Sequence, residues 1–171
     1  RVSIPASMHL RYQVTARVKQ GTSQGASELA WHHDGTSYEA RFEVRAPWSR
    51  PRVQHSTGRV AGDGLEPLRF GDRSRGEQAA HFDREEQRVV FSNNRPAVPL
   101  APGAQDRLSV LLQLAALLAG APGSFPAGAT VLIQTATTRE ADAWIFTVDG
   151  EEQLRLPGGD LAAVKLTRPP R

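Results

Sequence analysis

The sequence predicts an α+β fold dominated by β-strands, with about ten strands in a curved antiparallel meander or half-open barrel packed on one buried central helix. Many short segments alternate apolar and polar residues and are separated by turn residues, which is typical of strands with one buried face. Residues 106–119 instead carry leucine and alanine on almost every side, which predicts a buried helix. A sheet of that many strands curls, so we expect the helix against its concave side.

The segment before the helix predicts a series of hairpins. Residues 8–19 alternate without a break, and a second strand at residues 26–33 follows a turn predicted at 20–25. Asp34-Gly35 predicts a type I′ turn into a third strand at 38–46, because both central residues of that turn need positive φ. Further strands before the helix are predicted at residues 52–61, 66–75, 77–82 and 88–92.

The helix and the strands after it have recognisable start and stop residues. Asp106 has the short acidic side chain that suits an N-cap, and Gly120 can adopt the left-handed conformation that ends a helix. Asp149-Gly150 then predicts another hairpin turn, and residues 157–160 predict the last one. The strands that these turns join are predicted at residues 129–137, 143–148, 151–156 and 161–167.

Composition excludes several classes of function. The chain has 171 residues and no cysteine, so disulfides, thiolate catalysis and zinc–thiolate sites are excluded. The net charge is only +3 and charges of both signs alternate, so we expect no nucleic-acid partner. The apolar run of the helix is far short of the roughly 20 residues that a bilayer crossing needs, so we expect no membrane-spanning segment in this chain.

The length favours one domain over residues 1–171. The chain opens with Arg1 instead of methionine and carries no targeting segment of its own. We therefore expect it to be the mature or trimmed part of a longer exported precursor.

Some patterns resemble catalytic or metal sites, and each has a structural explanation. The sequence GTSQG at residues 21–25 matches the G-x-S-x-G nucleophile pattern, but a turn between antiparallel strands lacks the strand-to-helix geometry that exposes such a serine. His32 and His33 are adjacent in a predicted strand and point to opposite faces, which disfavours a shared metal ion. The acidic segment 83–87 is typical of a charged hairpin tip. We expect no catalytic residue, cofactor or metal ion, and a hydrolase using Ser23 or a histidine site is the minor alternative.

The large aromatic and leucine side chains allow two interpretations. On sheet faces such residues usually form the core, but a curled sheet can also enclose an apolar ligand pocket against the helix. The candidate lining residues are Trp31, Tyr38, Phe42, Phe70, Leu111, Leu118, Trp144 and Phe146.

Several short motifs indicate a family. They are STG at 56–58, GLEPLRF at 64–70 and PGAQDRLS at 102–109, with Asp149-Gly150 and PGG at 157–159 further on. Together they resemble a family of uncharacterised exported proteins of Gram-negative bacteria, known only as a domain of unknown function. The resemblance implies export to the periplasm and transfers no catalytic residues. We expect structural roles for the motif residues Gly58, Gly64, Pro67, Gln105, Asp106 and Arg107.

The predicted architecture is also loosely similar to the half-barrel lipoprotein carriers of the periplasm, which hold acyl chains under helices. This chain differs in having one evident helix. We therefore expect a non-enzymatic protein of the periplasm or cell envelope that binds a hydrophobic or amphiphilic ligand between sheet and helix. The alternative is a protein–protein interaction or scaffolding domain of the cell envelope, which would use exposed sheet edges.

Overall fold

The computed structural model describes residues 1–169, and this part of the chain contains twelve strands and one helix. The strands are β1 (Met8–Val18), β2 (Gly21–His33), β3 (Ser37–Ala46), β4 (Ser49–Ala61), β5 (Gly64–Arg73), β6 (Glu77–Asp83), β7 (Arg88–Phe91), β8 (Val98–Pro99), β9 (Gln105–Asp106), β10 (Thr130–Ala136), β11 (Ala141–Leu156) and β12 (Gly159–Thr167). The helix α1 spans Ser109–Gly120. The fold is α+β and mainly β, as the sequence predicted.

Strands β1 to β8 form one large sheet in which every strand pairs antiparallel with its neighbours in the chain. This confirms the predicted meander, and the sheet curls into a half-barrel. Its innermost cross-strand row joins Trp31 to Ala40, Ala40 to Ser56, and Ser56 to Phe70. All four side chains are buried, so this row forms the centre of the core.

Strands β9 to β12 form a second, smaller sheet in the order β12-β11-β10-β9. The short strand β9 pairs parallel with β10, while the other pairs are antiparallel. The sequence did not predict this division into two sheets, because β9 is two residues long and its pairing depends on a strand far along the chain.

The helix lies between the two sheets and packs on both. Leu108, just before the helix, and Leu112 belong to the core cluster of the large sheet. Val110 and Leu114 pack with Ile133 and Phe146 of the small sheet. Residues four apart lie on one face of a helix, so each of these pairs faces a different sheet. This arrangement explains why almost no polar face remains.

Both ends of the helix differ from the prediction. The helix begins at Ser109 and not at Asp106, because Gln105 and Asp106 pair with β10 as strand β9. The N-cap position is Leu108, which makes no side-chain cap. Gly120 is still helical without a positive φ, and a Cβ there would overlap the backbone of the N-terminal residues that pack against it. Close approach of the chain therefore explains this glycine.

The predicted turns are correct in two cases and wrong in two others. Asp34-Gly35 does lie in a hairpin, but the loop has three residues and only Gly35 has a positive φ. The turn at 157–158 is also present. Residues 21–25, however, belong to β2, and Asp149-Gly150 is an irregularity inside the continuous strand β11. Strand β11 pairs with β12 on both sides of this irregularity, with Val148 opposite Leu166 and Gly150 opposite Lys165, so the strand continues past the bulge instead of turning.

Within residues 1–169, the length and apolar character of α1 do not suffice for a membrane crossing, and no other helix there could make one.

Candidate functional site: an apolar groove beside a buried polar cluster

An open groove of about 600 Å³ lies between the concave face of the large sheet, the start of α1 and strand β11. Apolar side chains from all three elements form most of its walls. They are Tyr12, Leu29, Phe42 and Val44 of the sheet, Leu108, Val110 and Leu111 at the helix, and Trp144 and Phe146 of β11. Apolar walls, few polar groups and a volume in this range are typical of small-molecule sites.

The sheet wall of the groove follows from the period-two alternation of the strands. Leu29 lies opposite Phe42, and Phe42 lies opposite Gln54, so the three form a row beside the buried Trp31 row. The next row toward the β3–β4 turn contains Ser27, Val44 and Arg52. Along β4, the residue facing the groove therefore changes from an amide to an arginine.

Leu111 is the main helical side chain left uncovered. It is 56% exposed although most of its neighbours on α1 are buried. Its side chain lines the groove opposite the sheet wall. An exposed leucine facing other apolar walls across an open space provides a surface that a ligand could bury.

Strand β11 supplies the third wall. The rings of Trp144 and Phe146 are tilted against each other with centroids 6.2 Å apart. The guanidinium carbon of Arg168 lies 4.0 Å from the centroid of the Trp144 ring, a cation–π contact. Both aromatic rings and the arginine line the groove.

The polar end of the groove is a cluster of Arg52, Gln54, Asp72 and Arg107. The Arg52 Nε donates to Asp72 Oδ1 at 2.9 Å, and Gln54 Nε2 donates to Asp72 Oδ2 at 3.1 Å. Burial alone would raise the pKa of Asp72, but these hydrogen bonds and the charges of Arg52 and Arg107 outweigh it and hold the pKa below its usual value. Asp72 is therefore an anion that fixes Arg52 in place.

A separate polar cluster is buried where the large sheet meets the start of the helix. The Ser56 hydroxyl donates to Asp106 Oδ2 at 2.5 Å, and Tyr38 Oη lies 3.0 Å from Ser56 Oγ. Asp106 Oδ1 accepts the backbone N–H groups of Leu108 and Ser109 at 2.9 and 2.7 Å. These bonds connect strands β3, β4 and β9 to the first turn of α1.

Burial disfavours the ionised forms of Asp106 and Tyr38 in this cluster. It raises the pKa of Asp106 to about 6, although the hydrogen bonds to Ser109, Ser56 and Leu108 oppose the shift. The pKa of the Tyr38 hydroxyl is raised by burial and, to a lesser extent, by the Asp106 charge. Ser56, Asp106 and Ser109 have no exposed surface, so a substrate in solution cannot reach them. We interpret the cluster as structural.

The motif glycines and glutamines meet beside this cluster. Leu65 donates its N–H to Gln113 Oε1 and accepts a hydrogen bond from Gln105 Nε2, both at 2.8 Å. Gly64 has φ +133°, and a Cβ there would overlap the Gln113 amide. A Cβ at Gly58 would overlap the backbone of the β5 residues opposite, where the register shifts.

Of the two remaining motif residues, Pro67 lies in the core and Arg107 lies at the groove. Pro67 is buried at the same register shift, where a missing N–H is tolerated. Arg107 is exposed and lines the groove. Its position therefore differs from that of its neighbours Gln105 and Asp106, which are both fully buried.

A comparison with protein families accounts for the motifs. The model of a family described as a protein of unknown function (DUF3108) matches residues 11–171. The chain belongs to the DUF3108 family. This confirms the resemblance to an uncharacterised family. Neither a curated protein nor a solved structure matches the chain.

In this DUF3108 protein the eight candidate lining residues fall into three groups. Phe42, Leu111, Trp144 and Phe146 line the groove. Trp31, Tyr38 and Phe70 belong to the packed core cluster. Leu118 is half-buried in the second half of α1 and is not among the residues lining the groove.

Sequence reasoning missed several residues that line the groove. Leu29 and Val44 share the inward face with Trp31 and Phe42, so the period-two pattern could have identified them. Arg52 follows the same rule on β4 but was not considered, since arginine is usually solvent-exposed. Arg168 comes after the last predicted strand, and no pattern in the sequence indicated its place over Trp144.

The candidate catalytic and metal-binding residues lie apart from the groove. Ser23 is in β2 near the β1–β2 turn, paired with Ala16, and no helix follows it. His33 Nε2 lies 3.0 Å from the carbonyl oxygen of Pro5, while His32 is exposed on the other face. Within residues 1–169, no three His, Asp or Glu side chains come together as a metal site would require.

Proposed function

We propose that this protein binds an amphiphilic ligand in the groove and has no catalytic role. The observation that carries the proposal is the set of facing, unfilled apolar walls, with Leu111 exposed opposite Phe42 and Trp144. Covering such surface removes apolar area from water, at about 25 cal/mol per Å². An acyl chain or a similar flexible apolar group has the shape to do so.

The polar groups at the groove suit binding better than reaction. Arg52, Arg107 and Arg168 line it, and the arginine guanidinium stays protonated near neutral pH. Such groups attract and orient anions but do not exchange protons readily. We also propose that the protein acts in the periplasm or cell envelope, as the family resemblance implies, where amphiphiles are abundant.

The first test is native mass spectrometry of the purified protein beside an organic extract of the same sample. We expect a co-purifying or added amphiphile that is lost on denaturation. Leu111→Glu places a charge in the groove and should weaken binding of a neutral naphthylamine dye by at least tenfold. Leu132→Glu is the matched control, because Leu132 is 66% exposed and does not line the groove.

The outcomes separate the alternatives clearly. Loss of dye binding in Leu111→Glu alone, with unchanged circular dichroism in both variants, supports the groove as the site. Equal binding by both variants and the wild-type protein would contradict it.

A protein–protein interaction role is the second candidate, and free sheet edges favour it. Among residues 1–169, strand β1 pairs only with β2 and β12 only with β11, so each has one unpaired edge in this part of the chain. Leu156, Leu161 and Val164 are also exposed on the β11–β12 hairpin. A ligand-free mass together with stoichiometric capture of one envelope protein would favour this role.

A further inference from the structure

A second cavity adjoins the apolar groove and has the opposite character. It is a polar cleft of about 940 Å³ between β4 to β6, the start of α1 and the turn after β10. Arg52 and Arg107 line both the groove and the cleft. An apolar surface and a polar, charged surface therefore meet at these two side chains.

The cleft has an excess of positive charge. Its lining contains the five arginines Arg52, Arg75, Arg95, Arg107 and Arg139 against the three carboxylates of Asp72, Glu77 and Glu140. None of these carboxylates is free, since Asp72 pairs with Arg52, Glu77 pairs with Arg69, and Glu140 has an interaction of its own. A cleft of this composition attracts anions.

Arg107 and Arg52 differ in how they are held. The Arg52 guanidinium is fixed by two hydrogen bonds from its Nε to Asp72 and by a further close contact of Nη2. The Arg107 side chain forms no hydrogen bond or ion pair with another residue among 1–169, although its backbone N–H binds the carbonyl oxygen of Ala136 at 2.9 Å. Arg107 therefore keeps a free guanidinium at the junction.

We propose that the ligand is an acyl-chain amphiphile with an acidic head group, and that Arg107, with Arg52 beside it, binds that head group. The inference rests on the proposed binding function and names its ligand class. The apolar chain lies in the groove against Phe42, Leu111 and Trp144, and the head group lies at the entrance to the cleft. A guanidinium matches a carboxylate or phosphate with two parallel hydrogen bonds, which gives both affinity and orientation.

The charge balance at the junction supports an anion there. Asp72 is hydrogen-bonded to Arg52, while the charge of Arg107 acts on it without a direct bond, so two arginines share one carboxylate and one positive charge remains in excess. Arg168 adds a third cation at the opposite wall, where it lies over Trp144. A neutral head group would leave Arg107 without a partner, whereas an acidic one would pair with it.

The test compares two probes with the same chain and different head groups. Myristic acid and myristyl alcohol compete with a bound naphthylamine dye on wild-type protein and on Arg107→Gln. We expect the wild-type protein to bind the acid about tenfold or more tightly than the alcohol. A hydrogen bond to a charged group contributes at least about 1.5 kcal/mol to binding, which corresponds to about a tenfold difference in affinity. Arg107→Gln should lose most of that preference, because its affinity for the acid should fall much more than its affinity for the alcohol.

Two further proteins complete the design. Arg155→Gln removes the same charge on the exposed β11–β12 hairpin, outside both cavities, and should keep the preference. The double variant Arg52→Gln/Asp72→Asn removes the ion pair as a unit, which leaves no buried charge unpaired, and should reduce acid binding less than Arg107→Gln does. Raising the salt concentration should weaken binding of the acid only.

The results distinguish this inference from the proposed function. Equal affinity for acid and alcohol, or an unchanged preference in Arg107→Gln, would overturn the head-group inference and leave groove binding intact. An equal loss in Arg155→Gln would also overturn it, since net charge would then explain the effect. Failure of both probes to displace the dye, or of the dye to bind, would reject the binding function itself.

Discussion

The concave face of the large sheet is packed at one row and open at the next, although the same strands pass through both. Trp31, Ala40, Ser56 and Phe70 form the packed row, and none is more than 2% exposed. The neighbouring row holds Leu29, Phe42, Gln54 and Asp72, of which only Leu29 is buried. Strand pairing is continuous across both rows. The difference in burial therefore arises from the elements that pack over each row.

The segment that packs over this row is Asp106 with the start of α1. Hydrogen bonds as well as apolar contacts hold it to the sheet. Ser56 donates to Asp106, which in turn binds the first N–H groups of the helix. In the next row the equivalent residue on β4 is Gln54, which binds Asp72 of the same sheet and not the helix. The groove opens beside this second row, where the Gln54 amide is bound within the sheet.

The largest loss of stability is expected for substitution of Phe70 by alanine, and the comparison is the same substitution at Phe42. Phe70→Ala should lower the free energy of unfolding by about 3–5 kcal/mol, because the Phe70 side chain is only 1% exposed, although it borders the polar cleft, and its removal leaves a cavity in the core. Phe42→Ala should cost only about 1–2 kcal/mol, since one side of Phe42 already faces an open groove. Urea denaturation followed by circular dichroism measures both. Equal losses would mean that the groove is closed in solution.

The next effect concerns pH and the buried Asp106. Its pKa is about 6 in the folded protein, against about 3.9 in an unfolded chain. Between these values the folded state binds more protons than the unfolded state. The stability that Asp106 contributes is therefore full below about pH 4 and is lost as pH rises through 6, by about 3 kcal/mol in total.

Asp106→Asn isolates this contribution from that of the other carboxylates. The Asn Oδ1 can still accept the N–H groups of Leu108 and Ser109, and its amide can donate to Ser56. We expect the variant to gain roughly 2 kcal/mol relative to wild type between pH 4 and pH 7, measured by urea unfolding at each pH. A difference between the two proteins that does not change with pH would contradict the raised pKa.

The smallest effect expected is at the rim of the groove. Arg168→Gln removes the cation over Trp144 and should lower the free energy of unfolding by about 0.5–1 kcal/mol. Arg155→Gln, a loss of the same charge on an exposed hairpin, should change it by less than about 0.5 kcal/mol. Thermal unfolding of both variants beside wild type provides the comparison. Equal shifts would show that the cation–π contact does not stabilise the groove wall.

Much of the fold was predictable because its signals are local. The alternation in β1 and β3 and the apolar run of α1 each lie within one short segment, where periodicity specifies the secondary structure. The Asp149-Gly150 prediction was wrong because a turn dipeptide also suits a bulge, and only pairing with β10 and β12 decides between them. The start of α1 was misplaced for the same reason, since Asp106 belongs to a bridge with a distant strand.

The candidate site was only half predictable. Aromatic content suggested Phe42, Trp144 and Phe146 as lining residues, but nothing local separated them from Trp31 or Phe70, which belong to the core cluster of the large sheet. All five lie on inward faces of strands. What distinguishes them is whether another element packs over them or leaves a groove beside them, and those elements are far away in the chain.

The sequence by itself determined the strands, the buried helix and the class of the fold, because hydropathy period and turn chemistry act over a few residues. Only the tertiary structure decided that the helix lies between two sheets, that a groove opens beside the packed row, and that Arg52 and Arg107 meet at its polar end. These features depend on strand register and on the contacts of segments that are distant in sequence, which no short pattern encodes.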